Sequence, residues 1–422
     1  MIDVAPSSDA VYSRWRIASI GDLDGDGTSD LVLQTTFDPT TAEFRPRAWF
    51  VSGRQDRILF ALQRPIGDQM SPDRADGGGL FRIEPLEDVD ADSVGDFAVC
   101  IPDSCGTEGG AGVVQVYSGS RHTSLYRSMG DNYLDSFGNC LTRIGDVDGD
   151  GICDVLAGTA ILSFSPEKPV PGLARALSGA SGKILWKALG PLGENSFSEL
   201  ACATGDFDQD GIPDCVIAAP SALELAGRVS IHSGKNGSEL YVLQGNAEAS
   251  EFLGSTLDPL EDVDDDGCAD VLIGRFQAPS RILSVRKKTW IDPPWQLYWA
   301  RAVGDLDSDG RTDVAGWEGR RGWGGELLVL SARDGRELLR LRPEPGFDSI
   351  QDFGGIGDLD GDGHGDLWVL SDRESEWKSG NYEPVFGSIA IHSGADGSIL
   401  RRFDRETVRR MAAEPHPMIM VE

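Results

Sequence analysis

Basic residues are scarce in this chain. Thirty-eight Lys and Arg stand against 69 Asp and Glu, and the formal net charge is −31. That balance argues against nucleic acid and anionic membrane surfaces as partners. Such an excess needs a sink, either a solvated acidic surface or bound cations. No stretch approaches the roughly 18 apolar residues of a membrane span, so membrane insertion is not expected. Met1 to Ala10 has no basic region followed by an apolar stretch, so no signal peptide is read there; a leader removed before this start stays open. Cysteine is sparse, with seven residues and no CxxC pair, which excludes a disulfide scaffold and a zinc site. The odd count leaves at least one thiol unpaired. Cys100 and Cys105 could close a small loop, and buried free thiols are the alternative. Catalytic signatures are missing too: there is no GxSxG, no HExxH and no phosphate-cradling loop.

What is present is a repeat. The chain has 422 residues, 40% of them hydrophobic and 53 of them glycine, which suits a large core joined by many tight turns. The pattern D-x-D-x-D-(G)-x-x-D occurs seven times. Its aspartates are Asp22, Asp24, Asp26 and Asp30; Asp88, Asp90, Asp92 and Asp96; Asp146, Asp148, Asp150 and Asp154; and Asp206, Asp208, Asp210 and Asp214. They continue as Asp262, Asp264, Asp266 and Asp270; Asp305, Asp307, Asp309 and Asp313; and Asp358, Asp360, Asp362 and Asp366. Consecutive copies begin 43 to 66 residues apart, too far for one hairpin and right for a four-stranded sheet with its loops.

Calcium chemistry accounts for the spacing. The ion takes six to eight hard oxygens at about 2.3–2.6 Å in a flexible shell. Carboxylates at loop positions 1, 3 and 5 converge when the backbone coils tightly, and glycine at position 6 makes the turn. The turn exposes the carbonyl of position 7, which is Thr28, Val94, Ile152, Ile212, Cys268, Arg311 or His364, and Asp at position 9 closes the shell. Plain solvated Asp-Gly turns are the bland alternative, but such turns do not need Asp at four fixed offsets in seven copies. A carboxylate-crowded shell favours Ca²⁺ over Mg²⁺. Seven ions, one per blade, would reduce the formal charge of −31 to about −17. In the second copy Ser93 replaces the glycine, which strains the turn and predicts the weakest site.

A second repeat follows each loop: Val51-Ser52-Gly53, Tyr117-Ser118-Gly119, Leu177-Ser178-Gly179, His232-Ser233-Gly234 and His392-Ser393-Gly394, with weaker forms at Leu283-Ser284-Val285 and Leu330-Ser331-Ala332. It reads as a hairpin turn. Apolar β-type runs flank the aspartate loops, so each loop joins two strands. The order in each unit is strand, calcium loop, strand, variable loop, strand, Ser-Gly turn, strand. The expected fold is all-β: a single seven-bladed β-propeller of four-stranded antiparallel blades spanning 1–422. The blades fall at about 12–62, 80–127, 137–187, 197–243, 252–288, 297–341 and 350–403. The tail 404–422 is a candidate closing strand. Met1-Ile2-Asp3-Val4 and Met418-Ile419-Met420-Val421 are the two pieces able to add an outer strand to blade 7 or blade 1.

These units resemble FG-GAP repeats, the units of the integrin α-subunit propeller. Phe137-Gly138 and Phe353-Gly354 supply the first element, with relaxed forms at Phe197-Ser198 and Phe252-Leu253-Gly254; Ala218-Ala219-Pro220 supplies the second. The resemblance covers roughly residues 12–403. It implies calcium in the loops and a partner on the face opposite them. Integrins carry the loop in only some blades. All seven blades carry it here, which looks more like bacterial secreted proteins built from such repeats.

Aromatic and Arg residues gather in the stretches assigned to the opposite face of the last three blades: Trp290, Trp295, Trp299, Trp317, Arg320, Arg321, Trp323, Trp377 and Tyr382. Exposed Trp with Arg is the composition of binding hot spots, and Trp also stacks on sugars. Packing between blades is the alternative, since Trp is mostly buried. The expectation is a monomeric extracellular or cell-surface module that binds a protein or glycan. A polysaccharide lyase or hydrolase is a second reading, since some rhamnogalacturonan lyases use similar propellers, and a purely structural domain is a third. The five histidines offer no acid–base pair: His232 and His392 share one repeat position, His364 lies in a loop, and His122 and His416 are isolated.

Overall fold

A computed structural model describes residues 16–37, 44–63, 82–102, 111–131, 136–159, 171–191, 197–276, 278–319, 325–372 and 387–421. Seven four-stranded antiparallel sheets follow one another along the chain. Blade 1 holds β1 (Arg16–Gly21), β2 (Asp30–Phe37), β3 (Phe44–Val51) and β4 (Ile58–Gln63). Blade 2 holds β5 (Arg82–Pro85), β6 (Phe97–Ile101), β7 (Val113–Tyr117) and β8 (Ser124–Met129). Blade 3 holds β9 (Phe137–Gly145), β10 (Asp154–Thr159), β11 (Leu173–Leu177) and β12 (Ile184–Leu189). Blade 4 holds β13 (Leu200–Ala203), β14 (Cys215–Ala219), β15 (Arg228–His232) and β16 (Glu239–Gln244). Blade 5 holds β17 (Leu257–Pro259), β18 (Val271–Arg275), β19 (Ala278–Ser284) and β20 (Thr289–Ile291). Blade 6 holds β21 (Leu297–Gly304), β22 (Asp313–Glu318), β23 (Leu327–Leu330) and β24 (Glu337–Leu341). Blade 7 holds β25 (Ser349–Gly357), β26 (Asp366–Asp372), β27 (Ser388–His392) and β28 (Ile399–Phe403).

Strand composition follows position in the blade. The second strands carry apolar runs such as Leu31-Val32-Leu33 and Val271-Leu272-Ile273 because both faces are covered by neighbouring blades. The fourth strands lie at the rim and alternate: in β12, Trp186 and Ala188 point inward between exposed neighbours.

The ring is closed. First strands touch in succession around an axis, β1 with β5, β5 with β9, and onward to β25 with β1. The buried apolar residues fall into seven clusters, and each cluster spans two adjacent blades. No blade owns a core of its own. Each one buries its faces only against its neighbours, so the ring is the smallest stable unit.

Aromatic residues of several fourth strands pack under the next blade. Phe60 lies 3.9 Å from the His122 ring, Tyr126 donates to the Gly179 carbonyl, and Trp186 Nε1 donates to the Gly234 carbonyl at 2.6 Å. At the joint between blades 7 and 1 this place is taken by Arg401. Its guanidinium donates to the Ser52 and Gln55 carbonyls at 2.7 Å and meets Asp56 at 3.0 Å.

The C-terminal segment lies across the same joint. Asp404 caps the helix Arg405–Ala412 by accepting from the Thr407 amide. Val408 and Met411 of that helix enter the cluster shared by blades 7 and 1. The chain then adds β29 (Met418–Met420) parallel to β4 as a fifth strand of blade 1, and Val421 enters the cluster between blades 1 and 2. The other expected piece, Met1 to Val4, lies outside the described residues.

Deleting residues 405–422 removes three buried apolar side chains and a strand from the edge of blade 1. A loss on the order of 5 kcal/mol is expected, at about 1.5–3 kcal/mol per buried side chain. Urea melts of the full and shortened chains measure it. Coincident melts would leave the ring closed by blade faces alone.

Candidate metal centre

All seven aspartate loops join the first and second strands of their blades, and they share one geometry. The position 1 carboxylate holds the coil. Its Oδ1 accepts from the position 5 amide at 2.9–3.1 Å in every copy. Its Oδ2 accepts from the position 6 amide at 2.6–2.9 Å. The position 5 carboxylate then accepts from the position 7 amide at 2.8–3.1 Å, fixing the turn at Thr28, Val94, Ile152, Ile212, Cys268, Arg311 and His364.

Two residues per loop are left-handed. Position 6 is the expected one, with φ of 72° at Ser93 and 83° to 90° at the glycines. Position 4 is the second, with Gly25, Gly149 and Gly361 in three loops but Ala91, Gln209, Asp265 and Ser308 in the others. Only blade 2 has a side chain at both places, so its strain is doubled. Sequence reasoning missed position 4, although Gly25, Gly149 and Gly361 carry the signal, because Ala91 and Gln209 in other copies do not repeat it.

The position 9 aspartates are the most buried members, with essentially no exposed surface. Their Oδ2 accepts from the position 2 amide at 2.7–2.9 Å in all seven copies. In six blades Oδ1 accepts from the amide after the turn serine, at Gly53, Gly119, Gly179, Gly234, Val285 and Gly394, at 2.9–3.1 Å. Each thus ties the aspartate loop to the Ser-Gly turn, and the two turns share one end of the blade. In blade 6 the corresponding Ala332 amide acts on the Asp313 carboxyl but closes no hydrogen bond to Oδ1. Burial pushes these carboxyls above the usual range against the pull of the amides: Asp154, Asp214 and Asp270 to about 6, and Asp313 to about 7.

The remaining oxygens converge. Carboxylate oxygens of three aspartates lie within 4.8 Å of one another in groups that include Asp22, Asp24 and Asp30; Asp88, Asp90 and Asp96; Asp146, Asp148 and Asp154; Asp206, Asp208 and Asp210; and Asp262, Asp264 and Asp270. Several are buried with no donor, namely Asp24 Oδ1, Asp26 Oδ2, Asp90 Oδ1 and Asp264 Oδ1. A buried carboxylate oxygen without a partner is costly, and a cation is the partner such a set of oxygens fits. The clusters suit a divalent cation.

The aromatic group is dispersed. Trp290 lies in β20 under the Arg281 guanidinium at 5.0 Å, Trp299 in β21 and Trp317 in β22, so three of the residues assigned to loops belong to strands. Trp295 and Trp317 are 3% and 4% exposed and belong to the seams between blades 5 and 6 and between blades 6 and 7. Trp299 stands edge-on to Trp317 at 6.2 Å. Their indole surface is used between blades. Arg320, Arg321, Trp323, Trp377 and Tyr382 lie outside the described residues. The free thiols are Cys100, Cys140, Cys202, Cys215 and Cys268, all buried, and the half-buried Cys153; Cys105 lies outside the described residues.

Two features were not anticipated. On the end opposite the aspartate loops, Leu223, Glu224 and Leu225 form a left-handed turn with φ of 53°, 57° and 69°, and its two leucines are 37% and 42% exposed. Around the axis, the first strands carry ion pairs, Arg143 with Glu84 and Arg301 with Asp352. Burial pushes Glu84 up to about 7 and Asp258 up to about 6.

No protein-family model matches the chain. Among curated proteins, integrin alpha-4 of Xenopus laevis is 30% identical over 175 residues, 40% of this chain and 17% of that protein. Integrin alpha-V of Gallus gallus is 28% identical over 211 residues, 46% and 20% of the two lengths. The matched part thus spans about a fifth of these relatives. Among solved structures, BBS1N in complex with ARL6DN overlays at a TM-score of 0.50 and 11% identity, over 85% of this chain and 89% of that one. It shows the fold alone. Rhamnogalacturonan lyase YesW overlays at a TM-score of only 0.45 and 16% identity, over 90% and 67%. The chain is a seven-bladed β-propeller consistent with an integrin α N-terminal-like propeller. Among the described residues, no helix is long and apolar enough to cross a membrane.

The position 9 aspartate has a role separable from any ion. Asp214→Ala strands the buried Gly234 amide and the partly buried Phe207 amide, at about 1–3 kcal/mol for the buried one and less for the other. A loss of that size is expected after chelation, and at least as large a loss with divalent cation present. A loss seen only with cation would assign Asp214 to the ion alone.

Proposed function

We propose that this propeller is a calcium-stabilised binding module of the extracellular space or cell surface, holding a protein or glycan on the end opposite its aspartate loops. The supporting observation is the set of buried carboxylate oxygens without donors, Asp24 Oδ1, Asp26 Oδ2, Asp90 Oδ1 and Asp264 Oδ1, inside loops of common geometry. Positions 1, 3, 5 and 9 and the carbonyl of position 7 would hold one Ca²⁺ in each of up to seven blades. The bound ion supplies positive charge that offsets repulsion within each loop. The hydrogen bonds of the chain itself set the loop shape, and the ion selects it by mass action. A site held at 100 times its dissociation constant contributes about 2.7 kcal/mol.

Similarity to integrin α subunits supports adhesion or ligand binding as the role. The aspartate loops occupy one end with hydrogen-bonded turns. The opposite end carries the second-to-third-strand loops, including the exposed left-handed Leu223–Leu225 turn, where side chains are free to meet a partner.

Two measurements test this reading. Exhaustive chelation should lower and broaden the thermal melt, and an unchanged melt would remove calcium from the account. The full chain should then bind members of a glycan array or an extracellular-matrix protein array in calcium and lose them in chelator. Leu223→Asp with Leu225→Asp should weaken capture, whereas exposed substitutions at the loop end should not. Binding that survives chelation, or maps to the loop end, would overturn the module as drawn. Cleavage of acidic polysaccharides by the full chain would replace it with the lyase or hydrolase reading.

A further inference from the structure

The seven loops differ in what their own blade offers them. A basic side chain from or beside the Ser-Gly turn reaches a loop carboxylate in five blades. Arg57 meets Asp24 at 2.8 Å, Arg121 meets Asp90, Lys235 meets Asp210 at 3.2 Å, Lys287 meets Asp264 at 2.9 Å, and Arg336 meets Asp307 at 2.6 Å. Among the described residues, blades 3 and 7 have no such pair, and their turns read Gly179-Ala180-Ser181 and Gly394-Ala395-Asp396.

Blade 5 sets one ammonium against two loop carboxylates, where blade 6 covers the same two positions with two guanidiniums, Arg336 at Asp307 and Arg333 3.9 Å from Asp309. Its Lys287 ammonium lies 2.9 Å from Asp264 and 3.9 Å from Asp266, carboxylates at loop positions 3 and 5, and also donates to the Asp264 carbonyl at 3.3 Å. Arg286 beside it donates to the Asp266 carbonyl at 3.2 Å and to the Asp206 carbonyl of the blade 4 loop at 3.1 Å. An ammonium is a compact point charge, closer in character to a metal ion than the planar guanidinium is. Attraction between Lys287 and two carboxylates must be given up, or shared, when a divalent ion enters between them.

We infer that Lys287 is a built-in counter-cation of the blade 5 loop, one that holds the loop folded without metal and lowers its affinity for the ion relative to blades 3 and 7. This inference rests on the calcium reading above. It sets blades 3 and 7, where among the described residues no basic side chain of the turn reaches the carboxylates, at the metal-dependent end and blade 5 at the self-neutralised end, with the other four between.

The test compares the full chain with Lys287→Met and Lys287→Gln, and uses Lys183→Met in the blade 3 turn as the control. Calcium titration by calorimetry should show one site about tenfold tighter in both Lys287 variants and no change in the control. In chelator, both Lys287 variants should melt below the wild type, and saturating calcium should close that gap. Both results are required. Superposable titrations, or equal melts in chelator, overturn the inference while leaving calcium binding intact. No calcium binding by any form overturns the calcium reading and the inference with it.

Discussion

One buried carboxylate per blade determines how the rest is arranged. Asp30, Asp96, Asp154, Asp214, Asp270, Asp313 and Asp366 have almost no exposed surface, yet each carries groups that must be solvated or paired. An amide of the aspartate loop and, in six blades, an amide of the Ser-Gly turn meet that need. The two turns therefore have to lie at the same end of every blade. The amides do not fully offset burial, since four of these carboxyls are pushed up to about 6 or 7. The highest is Asp313, where the turn amide of Ala332 acts on the carboxyl without closing a hydrogen bond to Oδ1. A positive charge nearby is what would restore the balance.

How much of this can be read from the sequence depends on the range over which each constraint acts. The loop aspartates act within nine residues, so their spacing alone carries the repeat, the strand order and the seven-bladed fold. Position 9 was legible as an aspartate but not as a cross-link, because its second donor sits 15 to 28 residues downstream. The left-handed position 4 was hidden at Ala91, Gln209, Asp265 and Ser308, whose identities do not ask for positive φ. Strand order assigns the tryptophans to the face opposite the loops, with packing between blades as the alternative. Trp290, Trp299 and Trp317 instead continue their strands, because a propeller blade has a covered face wherever a neighbour stands. That neighbour is a fact of the ring, not of the segment.

The joint between the last and first blades shows the same limit at the longest range. Phe60, Tyr126 and Trp186 each seat under the following blade, and Arg401 holds the corresponding place at the joint. Nothing near residue 401 says that its partners are Ser52, Gln55 and Asp56. The exchange of an aromatic for a guanidinium has a physical sense. Carbonyls and a carboxylate converge there, and a fork of five donors can satisfy several at once. The C-terminal helix supplies the apolar contacts at this seam through Val408 and Met411.

Contacts between neighbouring loops make the loop end a connected surface. Arg286 joins the loops of blades 5 and 4, Arg311 of blade 6 donates to the Val263 carbonyl of blade 5 at 3.3 Å, and His364 of blade 7 meets the Leu306 carbonyl at 2.6 Å. Groups that share partners do not contribute independently, so ions held in adjacent loops would couple through these bridges. Two of these three bridges start at position 7, at Arg311 and His364, whose backbone amides are already fixed by the position 5 carboxylates. A change in one loop therefore displaces a side chain that its neighbour uses.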